Sequence, residues 1–65
     1  MTGKELAEIR AEWGLTQREL GDILGYHPQK ISEMERDKRD IPQVVELYLL
    51  AEQRLRAIKK LAETP

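Results

Sequence analysis

Residues 15–39 read LTQRELGDILGYHPQKISEMERDKR, and the order of breakers and apolar positions in this stretch decides the fold. Thr16 with Glu19 three residues later forms a capping box, in which each side chain accepts a backbone N–H at the other's position. Leu15, just before the cap, can pack on Leu20 as a hydrophobic staple. Leu20, Ile23 and Leu24 are spaced to form the buried stripe of this helix. Gly21 lies between them and costs roughly 1 kcal/mol against alanine, which predicts the close approach of a neighbouring helix. Gly25 ends the helix and makes the turn. Pro28 suits the first position of the next helix, where its missing N–H would have no partner anyway, so His27 becomes the cap. At about 100° per residue, Ile31, Met34 and Glu35 cluster on one side. Gln29, Glu33 and Arg36 centre on the other, with Lys30 and Ser32 at its margins.

The flanks read as support for these two helices. Thr2 and Glu5 repeat the capping box, Leu6, Ile9 and Trp13 recur at helical spacing, and Gly14 can take the left-handed conformation that closes a helix. Arg10 shares the face of Leu6, while Ala7 and Ala11 are neutral filling. After a charged loop at Asp37 to Asp40, Pro42 opens a last helix that runs to about Ala62 without a breaker. Val44, Tyr48, Ala51, Leu55, Ile58 and Ala62 alternate four and three residues apart, the spacing of a coiled-coil seam. Leu47, Leu50 and Leu61 lie beside it, which is more apolar surface than one small domain needs. Arg54, Arg56, Lys59 and Lys60 complement the dipole at its end.

Sixty-five residues form a single domain over 1–65, and a chain this short buries only about 60% of its unfolded surface. With no cysteine there is neither a disulfide nor a thiolate metal site, so well-packed helices and oligomerisation are the remaining devices. No apolar run approaches the ~18 residues of a membrane span and no signal pattern opens the chain, which predicts a cytoplasmic location. The net charge of −1 argues against nucleic acid in total. Its distribution argues the other way: Lys30, Arg36, Lys38 and Arg39 fall together, whereas Glu5, Glu8 and Glu12 lie in the first helix. No nucleophile sits with a base and no glycine-rich phosphate cradle exists, so an enzyme is not expected and no cofactor is implied. His27, without a cysteine or histidine partner, is a cap or a phosphate contact and not a metal ligand.

These residues, IR..WGLTQREL, the LGY turn, ISEMERDKR and IPQVVELYLL, resemble the Cro/C1-type (XRE) helix-turn-helix family of phage and bacterial regulators from about Leu6 to Leu55. The resemblance implies an all-α, lambda-repressor-like DNA-binding domain of four to five helices. Its helix-turn-helix core would lie at 16–36 and its long C-terminal helix at about 42–62. Position by position, Gln17 matches a glutamine that grips a phosphate and buttresses the third helix. Gln29, Lys30 and Glu33 match positions that reach base edges, and Ser32 at the margin of that face joins them. Arg36, Lys38 and Arg39 match DNA-backbone contacts, to which Arg18 and His27 are added. Arg10 and Glu35 match a structural ion pair. Pro28, His27 and Asp37 depart from the family pattern, Asp37 standing where glycine is usual.

The function expected is that of a sequence-specific regulator of double-stranded DNA, a dimeric repressor on a palindromic operator, its own gene's included, as in phage or mobile elements. Val44, Tyr48, Ala51, Leu55 and Ile58 would then form the homodimer interface, although the same seam could instead close the small core. The rival is an antitoxin or adaptor whose C-terminal helix binds a protein partner such as a toxin. An amphipathic helix on a membrane surface ranks last, because Glu52 and Glu63 interrupt its basic residues.

Overall fold

The computed structural model describes residues 1–63; the single-domain expectation also takes in Thr64 and Pro65, which lie outside the described residues. Among the described residues there are four helices and no strand: α1 Gly3–Glu12, α2 Gln17–Leu24, α3 Pro28–Glu35 and α4 Gln43–Glu63. The first two open on complete capping boxes, Thr2 with Glu5 and Thr16 with Glu19. Gly14 and Gly25 carry the positive φ that their closing turns require, 70° and 77°. The first three helices wrap one small core of Leu6, Ile9, Leu20, Ile31 and Met34, completed by Val45 and Leu49 from α4. Trp13, Leu15, Leu24, Tyr26 and Ile41 pack on its margin.

Two expectations are corrected here and one open alternative is closed. Ile23 is not part of the buried stripe but is 50% exposed. The buried side of α2 is centred between Leu20 and Gly21, and a residue two positions past Gly21 points well away from it. The close neighbour at Gly21 is not a helix but the turn: a Cβ there would run into the Tyr26 carbonyl oxygen, which is drawn in because Tyr26 N–H donates to Gly21 O at 2.7 Å. Finally, the α4 residues that close the core are Val45 and Leu49, while Val44, Tyr48, Leu55 and Ile58 of the seam are all exposed. The last helix therefore serves the core from one side and turns the seam to solvent.

A further close approach joins the ends of the bundle. Gly3 sits so near the last turn of α3 that a side chain would meet the Met34 and Glu35 carbonyls. The Met1 ammonium lies against the Glu46 carboxylate of α4, and this hydrogen bond raises its pKa from the usual value. Beyond Leu49 the long helix leaves the core, touching it again where the Arg56 guanidinium stacks on Trp13 at 4.2 Å, with Glu52 Oε1 accepting from Arg56 Nε at 3.2 Å. The result is an elongated molecule, 43 × 20 × 19 Å.

Candidate nucleic-acid interface

The site begins with what holds α3. Arg10, one residue in from the core face of α1, extends its guanidinium across the bundle: Nε donates to Glu35 Oε2 at 2.6 Å, Nη2 to Glu35 Oε1 at 3.1 Å and Nη1 to the Leu15 carbonyl at 2.8 Å. Gln17 Nε2 adds a bond to Glu35 Oε1 at 3.1 Å. One carboxylate thus collects α1, α2 and α3, and its side chain is only 7% exposed. The bond to Glu35 raises the Arg10 pKa still further, so the guanidinium stays charged. Its contribution to net stability is small because both ions lose water, yet removing one partner would strand the other and cost several kcal/mol, on the order of 3–5. What the network supplies is a fixed orientation for α3 relative to α1 and α2.

The two ends of α3 are finished by side chains that sequence reasoning treated as departures. His27 Nδ1 accepts the Gln29 N–H at 3.1 Å, so the imidazole caps through its unprotonated nitrogen and carries any hydrogen on Nε2. At the other end Asp37 takes φ 57°, Lys38 N–H donates to Glu33 O at 2.9 Å and Asp37 N–H to Met34 O at 3.2 Å. This pair of bonds is a Schellman closure, usually served by glycine. Asp37 is used here because its Oδ1 accepts the Gly3 N–H at 2.8 Å, capping α1 from the end of α3. Nothing in the local sequence signals that bond, since the two residues are 34 apart.

On the outer side of α3 a shallow polar groove is lined by His27, Gln29, Lys30, Glu33 and Arg39. Gln29 and Arg36 are exposed; Lys30, Ser32 and Glu33 are half-buried at the edges. Lys30 Nζ rests over the Tyr26 ring at 4.0 Å, and Arg36 Nε leans on Ser32 O at 3.4 Å. Glu33, the one carboxylate in the groove, pairs with Arg39 at 3.3 Å. That pair brings the loop cation over the helix face and offsets the charge that would repel phosphate. Lys38 is exposed in the same loop, and Arg18 is exposed on the first turn of α2. The Glu33–Arg39, Lys30–Tyr26 and Asp37–Gly3 contacts were not read from the sequence; only side-chain positions across the loop and turn reveal them. Among the described residues no cluster of metal-ligating groups occurs and no helix is long and apolar enough to cross a membrane.

Two short helices with a tight turn, the second locked from behind and polar in front, define a helix-turn-helix domain. A helix-turn-helix family profile matches residues 6–53, which is most of the chain, and the protein belongs to this family, the Cro/C1-type helix-turn-helix proteins. The chain is also 40% identical over 52 residues to a protein of Sinorhizobium fredii (strain NBRC 101917 / NGR234) named as the uncharacterized HTH-type transcriptional regulator y4dJ. That match takes in 80% of this chain and 66% of the relative, so the chain spans just under two thirds of the relative's length. No solved structure gives a significant match.

Proposed function

We propose that the protein is a sequence-specific binder of double-stranded DNA that represses transcription as a homodimer, placing α3 in the major groove. The observation that carries this reading is the polar outer face of α3 held rigid by the Arg10–Glu35–Gln17 network. Gln29, Lys30, Ser32 and Glu33 are the groups within reach of base edges, where an amide suits adenine and a carboxylate suits the cytosine amino group. Gln17, Arg18, His27, Arg36, Lys38 and Arg39 surround them as contacts to phosphate. A twofold dimer reads a palindrome whose half-sites are about one turn, ~34 Å, or a multiple apart. The bound protein would act by occupying a promoter, including that of its own gene.

Fluorescence anisotropy against duplexes enriched by selection, compared with scrambled duplex over a salt series, tests the proposal. A palindrome bound ~10³-fold or more tighter than random DNA supports it; binding that is only salt-sensitive and shows no preference removes it. A second reading, an antitoxin or adaptor, is favoured by a different observation, the exposed apolar side of α4. A chain that ignores DNA, remains monomeric and forms a stable complex with the product of a neighbouring toxin gene would establish that reading instead.

A further inference from the structure

The outer side of α4 is the largest unexplained surface of the molecule. Val44, Leu47, Tyr48, Leu50, Leu55, Ile58 and Leu61 are all exposed, Val44 at 69% and Leu61 at 75%. At about 100° per residue these side chains fill an arc of about 160°, on the side of the helix away from Val45 and Leu49. A continuous exposed apolar patch of this kind marks an interaction surface.

We infer that α4 pairs antiparallel with α4 of a second copy, in the register that sets Val44 against Ala62, Tyr48 against Ile58 and Ala51 against Leu55. The inference rests on the dimeric reading above and adds to it the direction and register of the pair. It follows from how the seam is flanked. On one flank lie Leu47, Arg54 and Leu61; on the other lie Val45, Glu52 and Lys59. Helices running parallel bring opposite flanks together, so Leu47 would meet Glu52 of the second copy, an apolar mismatch. Running antiparallel, each flank meets itself: Leu47 packs on Leu61, while Lys59 faces Val45, which the core already buries.

The register is decided by overlap. Sliding the helices seven residues toward their C-termini would pair Glu52 with Lys59 but leave Val44, Leu47 and Tyr48 in water. Sliding them the other way drives Glu52 toward Val45, the flank the core occupies. Full overlap covers the whole seam at the cost of Glu52 and Arg54 each facing its counterpart near the twofold axis. Contacts between exposed charges are weak beside the burial of leucine-sized side chains, so overlap prevails. The two cores then sit at opposite ends of the helix pair, their Val45 anchors about 24 Å apart along it.

Because the chain has no cysteine, introduced thiols report the arrangement directly. Val44→Cys and Ala62→Cys change exposed positions and leave the core untouched. Mixed and gently oxidised after subunit exchange, the two variants are expected to give a disulfide-linked dimer, while neither links to itself, since like positions lie about 27 Å apart. Self-linking of either variant would mean a parallel pair and overturn the inference. Preferential linking of Ala51→Cys to Ala62→Cys would mean the shifted register, and a dimer by sedimentation with no 44–62 link would likewise overturn it. Monomeric wild-type protein by sedimentation would instead remove the dimeric reading itself.

Discussion

Gln29 and Arg36 share the outer face of α3 but would act on DNA in different ways. An amide that pairs with a base edge is worth about 1–3 kcal/mol of discrimination, so Gln29→Ala should weaken binding to the selected site roughly tenfold while leaving random duplex nearly unaffected. Arg36→Ala should weaken both alike and lower the slope of log affinity against log salt by about 1. Unchanged binding in both variants would move the contact surface elsewhere. Asp37 poses a residue-scale question of stability, because its left-handed backbone costs about 1–2 kcal/mol for a side chain with a Cβ and its carboxylate caps Gly3. Asp37→Gly relieves the first and loses the second, so its urea midpoint should stay near that of the parent. Asp37→Ala keeps the strain and loses the cap, and should cost about 1–2 kcal/mol. A glycine variant as unstable as the alanine variant would mean the strain is not there.

At the scale of the element, α2 shows where propensity and packing part company. Replacing a glycine inside a helix by alanine ordinarily gains about 1 kcal/mol. Gly21→Ala should do the reverse, losing about 1–3 kcal/mol through overpacking, because the new methyl meets the Tyr26 carbonyl that closes the turn. A rise in thermal midpoint would show that the turn yields readily. The pattern of glycine within an apolar stripe predicted a close approach, and that much was legible. Which group approaches was not, since a helix and a folded-back turn both demand the same absent side chain. Ile23 was misplaced for a related reason: three apolar residues in five define a stripe, but not which of its edges is covered.

For the whole molecule, stability and DNA affinity should both depend on protein concentration if α4 pairs with a second copy. Leu55→Glu places a charge at a position that is 62% exposed in the single chain. Its helical content should persist, its thermal midpoint should become independent of concentration, and affinity for a two-half-site operator should fall about 10²-fold or more as the linkage between readers is lost. A variant that stays dimeric would exclude this face. The acidic total charge, which argued against DNA, is resolved at this scale by placement: Glu5, Glu8 and Glu12 are exposed on α1, while Arg18, Arg36, Lys38 and Arg39 are exposed on α2, at the end of α3 and in the loop that follows.

Local chemistry by itself determined the helices and their ends. Capping boxes at Thr2 and Thr16, the proline of α3 and the glycine turns act within a few residues, so their outcome does not wait on the rest of the chain. The outward face of α3 followed from the same periodicity. Only the tertiary structure decided that Val45 and Leu49, and not Val44 and Tyr48, close the core, because neighbouring positions on an apolar helix differ by a rotation that packing alone selects. It also decided that Asp37 caps α1, that Arg39 covers Glu33 and that Arg56 lies on Trp13. The Asp37–Gly3 and Trp13–Arg56 contacts join residues far apart in the chain, and even Glu33 and Arg39, six residues apart, meet across the end of a helix. Each distance is set by how the elements meet in space, a quantity that periodicity and capping do not encode.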